Sequence, residues 1–94
     1  SICFWEALSK TKQLNVQIEA EIIAVEVLLS ADNIHLYGYA DRQEIVGNLD
    51  NYTDSLHYSE DINSEILKMI SVGDGRLTQE NYMDYYQTIR EMYE

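Results

Sequence analysis

The 94-residue sequence contains no proline and only one cysteine. With no proline, no Gly/Ser-rich tract, no low-complexity run and no internal repeat, it carries none of the usual marks of a domain boundary, so residues 1–94 read as a single unit. Lone Cys3 cannot close an intramolecular disulfide, and its apolar surroundings predict a small buried hydrophobe. Basic residues are scarce. Six Lys and Arg against 17 Asp and Glu leave a net charge of -11, which repels phosphate backbones and anionic bilayers, so nucleic acid is excluded as an expected partner. Long apolar runs are missing too: Ile22–Leu29 is cut by Glu26 and falls far short of the ~20 residues a membrane span needs, and no basic-then-apolar leader opens the chain. No membrane contact is expected of this segment.

Cofactor and metal motifs are also lacking. Gly73-Asp74-Gly75-Arg76-Leu77-Thr78 has the outline of the middle of a calcium loop, but it would set Ile70 and Val72 at the first and third ligand positions and Asn81 at the twelfth. It reads instead as a helix-terminating turn. No G-x-S-x-G nucleophile elbow occurs. Neither cofactor nor metal is expected.

What is present points to a folded domain. Apolar residues make up 46%, and Phe, Trp and eight Tyr argue against disorder. The opening Ser1-Ile2-Cys3-Phe4-Trp5 leads to the expectation of an excised piece or a processed product. Residues 4–9 predict a short helical turn carrying Phe4, Trp5 and Leu8. A longer helix follows, in which Leu14, Ile18, Ile22, Val25 and Leu29 form one continuous stripe widened by Val16, Ile23, Val27 and Leu28. A helix apolar over so much of its circumference needs cover from more than one neighbour.

Ser30-Ala31-Asp32-Asn33 stops that helix, and Ile34–Tyr39 reads as a strand, the one convincing strand of the chain. A single strand cannot satisfy its own backbone groups, which predicts a pairing partner in another chain or in a missing part of this protein. Helix, turn and strand in this order form the second half of a βαβ crossover in a parallel sheet. Residues 41–47 predict a further helical turn, and 47–53 a loop. Ser59 is set to cap a helix with Glu60 and Asp61 in its first turn, carrying Ile62, Ile66, Met69 and Ile70 and stopping at Gly73. Thr78 is expected to cap a last helix that buries Tyr82, Tyr85 or Tyr86, Ile89 and Tyr93. The tyrosine stripe of that helix reads as core or interface rather than a sugar-stacking surface.

The candidate chemistry lies in Asn51-Tyr52-Thr53-Asp54-Ser55-Leu56-His57-Tyr58-Ser59. An Asp three residues before a His can hold the imidazole in one tautomer, leaving its other nitrogen to take a proton from a nucleophile. Asp32 and His35 share the spacing, so spacing alone does not choose between the pairs. Topology does: chemistry in open α/β sheets lies beyond the carboxyl ends of strands, whereas His35 sits at a strand's start, and it is therefore expected to be structural. His57 lies in the loop that follows the strand and leads into a helix.

The stretch from Asn33 to Met69 resembles the C-terminal part of an SGNH (GDSL-like) hydrolase, whose last block is D-x-x-H followed by a helix. Asp54 and His57 match the Asp and His of that block. The run Asn48-Leu49-Asp50-Asn51-Tyr52-Thr53-Asp54-Ser55-Leu56-His57-Tyr58-Ser59-Glu60-Asp61-Ile62-Asn63 is also similar to bacterial, often membrane-anchored, SGNH-like proteins of cell-envelope polysaccharide modification. Ser1–Leu8 looks like the end of a preceding strand and loop. The family's Ser nucleophile block and its Gly and Asn oxyanion-hole blocks have no counterpart here, and Ser55 and Ser59 are too close to His57 in sequence to serve as nucleophile.

The resemblance implies an α/β fold: a helix-rich C-terminal fragment of a flavodoxin-like three-layer domain, with about four helical segments and one strand. It implies Asp54 and His57 as the catalytic pair of an esterase or O-acyltransferase, an acylated carbohydrate as substrate, and an extracytoplasmic setting with a membrane anchor in a missing N-terminal segment. The chain alone is expected to be inactive. Its expected partner is the missing N-terminal part of its own domain or a self-associating copy. The alternative is a self-standing acidic helical module, without catalysis, that uses its strand to pair with a partner or with itself.

Overall fold

The computed structural model describes residues 2–52 and 58–94. The chain is helix-rich with a small sheet, in the order α1 (Ile2–Lys10), α2 (Leu14–Leu29), β1 (Leu36–Tyr37), α3 (Gln43–Val46), a 3-10 turn (Leu49–Asn51), α4 (Glu60–Ser71), β2 (Arg76–Leu77) and α5 (Tyr82–Tyr93). The mixed α/β character matches the expectation from sequence, with five α-helices among the described residues.

The core forms where α2 lies against α5. Leu14, Ile18 and Val25 of the predicted stripe are buried, while Ile22 and Leu29 pack at its margin. Ile18 and Ile89 are wholly shielded from solvent, and each such side chain contributes roughly 1.5–3 kcal/mol through burial. Polar bridges fix the register. Arg90 Nε donates to Asn15 Oδ1 at 3.1 Å, Tyr86 Oη to Glu21 Oε1 at 3.0 Å and Tyr82 Oη to Glu26 Oε1 at 2.8 Å. Partner numbers rise along α2 as they fall along α5, so the two helices are antiparallel. At the end of α5, Tyr93 stacks on Trp5 with ring centroids 6.1 Å apart, and the Ser9 hydroxyl donates to the Tyr93 carbonyl, which brings α1 onto the pair.

The far side of α2 has no such cover among the described residues. Val16, Ile23 and Val27 are 69%, 64% and 66% exposed, on the face opposite Ile18 and Val25. The predicted need for more than one neighbour is thus met on one side of the helix among the described residues.

The sheet departs from expectation. β1 is two residues long rather than 34–39, and its partner lies within this chain: Leu36 pairs with Leu77 and Tyr37 with Arg76, antiparallel. The tight turn that leads from α4 into β2 is made by Gly73 and Gly75, which both take positive φ (76° and 85°), a region glycine enters without steric cost. Gly38 N then donates to Gly75 O at 2.9 Å, and Tyr39 Oη to Asp74 O at 2.7 Å. The expectation of a lone strand, paired only by another chain or a missing segment, is corrected by this contact.

Other details also differ. Cys3 is exposed on α1 instead of buried. The last helix begins at Tyr82 rather than at a Thr78 cap, because the Asn81 side chain is spent on Thr78 N (2.8 Å) and Arg76 O (3.0 Å). The predicted cap of α4 holds, with Ser59 Oγ accepting from Ile62 N at 3.4 Å.

Candidate functional site

The segment singled out by sequence is anchored on both flanks. On the upstream side the Asn51 amide donates to the carbonyls of Glu44 (3.3 Å) and Ile45 (3.0 Å), and the Tyr52 hydroxyl donates to Val46 O at 2.8 Å while accepting from Ile2 N at 3.3 Å. On the downstream side Ser59 N donates to Asn51 O at 2.6 Å before its hydroxyl caps α4. Between these anchors Tyr52 and Tyr58 form an isolated antiparallel bridge, and their rings stack with centroids 4.7 Å apart at 23°. Asp54 and His57, the predicted catalytic pair, lie outside the described residues, as does Ser55.

The tyrosines on either side of residues 53–57 are partly buried. Burial, followed by hydrogen bonding with Tyr52, pushes the Tyr58 phenol above its ordinary range. The Tyr93 hydroxyl is buried with no hydrogen-bond partner among the described residues, and burial raises it too, with Tyr52 and Glu6 adding to the effect. Tyr52, Tyr58, Tyr93 and Trp5 thus connect the flanks of the segment to the core beside α5. Sequence reasoning missed the role of Tyr52 and Tyr58. The signal available was a tyrosine immediately outside each end of residues 53–57.

His35, the rejected alternative, is exposed just before β1, and Asp32 is exposed in the preceding turn. A separate open cleft of about 420 Å³ lies between the sheet turns and α5, bordered by Asp41, Arg42, Asp74, Arg76, Asp84 and Tyr85. Arg42 grips Asp74 there with two hydrogen bonds, leaving that carboxylate unlike a calcium ligand. Burial raises Asp41, whose Oδ1 has no hydrogen-bond partner among the described residues. No group of three or more His, Cys, Asp or Glu suited to a metal ion occurs among the described residues, and no helix of the described residues is long and apolar enough to cross a membrane. Comparisons with family models, with curated proteins and with solved structures returned no match.

Proposed function

We propose that this chain is the C-terminal section of an SGNH-like ester hydrolase or O-acyltransferase, and that it supplies Asp54 and His57. His57 acts as general base toward a serine hydroxyl and then as general acid toward the leaving group, while Asp54 orients the imidazole and stabilises its charged form. The nucleophile and the oxyanion donors come from residues beyond these 94, so the chain by itself is inactive. The substrate class is an ester of a carbohydrate, and the setting is extracytoplasmic.

One observation carries the reading. Tyr52 and Tyr58, on either side of residues 53–57, are bridged, and the Ser59-capped helix α4 follows at once, so a helix comes directly after the D-x-x-H positions as in the block that the sequence resembles. The uncovered side of α2 supports it, and so does α4, which has no buried residue although its apolar positions share one face. Such surfaces suit a segment that packs against further layers of a three-layer domain.

The β1–β2 pairing favours a second reading, because a strand satisfied within its own chain needs no outside partner. Under it the chain is an acidic interaction module, with the exposed side of α2 as its contact surface.

The two are separated by expressing the longest polypeptide encoded in frame with this chain and treating it with a fluorophosphonate probe and with p-nitrophenyl acetate. The hydrolase reading expects probe labelling of a serine outside these 94 residues and ester turnover by the longer polypeptide alone. Absence of both supports the interaction module.

A further inference from the structure

We infer that the exposed side of α2 receives a basic amphipathic helix of another protein, laid along Val16, Ala20, Ile23 and Val27 with its Lys or Arg side chains beside Glu19 and Glu26. This rests on the interaction-module reading above and names its partner. α2 carries two apolar stripes. One, with Leu14, Ile18 and Val25, is buried in the core shared with α5. The other, Val16, Ala20, Ile23 and Val27, repeats at steps of four, three and four residues, the spacing that lines side chains into one seam for a second helix. Val16, Ile23 and Val27 are about two-thirds exposed, and Ala20 between them is exposed as well. The seam runs for about 16 Å, three helical turns. An amphipathic helix uses anchors of this pattern when it docks on an apolar surface.

Charge selects the occupant. α2 contains three glutamates and no Lys or Arg. On helical spacing Glu19 and Glu26 lie along one edge of the seam, two turns apart and both exposed. Glu26 also accepts from Tyr82 Oη at 2.8 Å, which leaves its charge in place. Glu21 faces away, accepting from Tyr86 Oη at 3.0 Å and Gln17 Nε2 at 2.7 Å. The opposite edge holds Ala24 and Leu28, apolar and exposed. A helix that matches this side is therefore apolar across most of its contact and basic along one edge. A second copy of the chain matches poorly, because it brings the same glutamates and a net charge of -11 against like charge. An anionic bilayer is disfavoured on the same ground.

Fluorescence anisotropy with synthetic helical peptides tests this on the 94-residue chain. The probe peptide carries Leu at the same steps of four, three and four residues, with Lys along one edge; one counterpart has Glu in place of Lys, and another has the same composition in scrambled order. The Lys-edged peptide should bind tightest. Val16→Ser, Ile23→Ser and Val27→Ser together should weaken it by roughly tenfold or more, because these positions supply the apolar contact. Glu19→Lys should weaken it roughly two- to fivefold, an effect that fades in high salt, and should strengthen binding of the Glu-edged peptide. Equal binding of the Lys-edged and Glu-edged peptides overturns the choice of a basic partner while the contact surface stands. A chain dimer that excludes the peptide and dissociates with Ile23→Ser in sedimentation makes the occupant a second copy and overturns the inference in the same way. If no peptide binds, or if the scrambled peptide or the triple serine variant binds as well, the surface itself falls, and the interaction-module reading falls with it.

Discussion

Arg42 meets Asp74 fork to fork, with Nη2 to Oδ1 at 2.6 Å and Nη1 to Oδ2 at 2.9 Å, tying the turn after β1 to the turn before β2. The paired hydrogen bonds from Arg42 hold the Asp74 carboxyl below its usual range. A carboxylate depressed in the folded state adds stability above its unfolded value of ~3.9, and loses it as pH falls through the lower folded value. Asp74→Asn should therefore lower the melting temperature at pH 7. The difference from the unaltered chain should begin to shrink below about pH 3.9 and vanish only once pH has fallen through the lowered folded value, and it should shrink in high salt, because the pair is partly exposed. Thermal melts across pH 2–8 check it; a difference independent of pH contradicts the assignment.

Asp41 behaves in the opposite sense. Burial raises it, and its Oδ1 lacks a hydrogen-bond partner among the described residues. The folded state then binds the proton more tightly than the unfolded chain, so stability falls as pH rises from ~3.9 through the raised value. Asp41→Asn should modestly stabilise the chain at pH 7, where the unaltered carboxylate is charged at a cost in the folded state. The gain should disappear in acid, as read from urea unfolding at several pH values.

Two glycines of one turn should respond differently to alanine. At Gly73 (φ 76°) an added Cβ meets nothing within 4 Å, whereas at Gly75 (φ 85°) it would stand 2.8 Å from Tyr39 Cζ. Gly73→Ala should cost only the left-handed backbone penalty of about 1–2 kcal/mol. Gly75→Ala should cost more, because it also displaces the Tyr39 ring that bonds Asp74 O. Chemical denaturation of the two variants gives the order directly.

The two sides of α2 should be energetically unlike. Ile18→Ala removes a fully buried side chain and should cost about 2–5 kcal/mol. Val16→Ser, Ile23→Ser and Val27→Ser remove side chains that are about two-thirds exposed, and each should fall within about 0.5 kcal/mol of the unaltered chain. The triple serine variant should also bind less of an apolar dye and self-associate less, which chromatography and fluorescence measure.

Periodicity made most of this fold legible. The buried stripe of α2, the apolar faces of α4 and α5 and the Ser59 cap follow from spacing and capping chemistry that act within a few residues. β2 was not legible, because Arg76-Leu77 is too short to show alternation and its partner, Leu36-Tyr37, lies far away in sequence, beyond α3 and α4. Nor was the start of α5, since Thr78 has the side chain of a cap, yet it is the Thr78 backbone N–H that donates to Asn81 Oδ1 and the helix starts after Asn81. Cys3 followed its apolar neighbours in sequence, yet α1 turns it outward. For the candidate site, residue types pointed to Asp54 and His57, while the flanking tyrosines needed three-dimensional pairing to acquire a role.

The most direct measurement is the ester turnover of the longest encoded polypeptide carrying, in turn, His57→Ala, Asp54→Asn and His35→Ala. The account predicts a loss on the order of 10⁶-fold in kcat for His57→Ala, a smaller but severe loss of about 10⁴-fold for Asp54→Asn, and near-normal turnover for His35→Ala. Equal losses at both histidines, or full activity without His57, would contradict it.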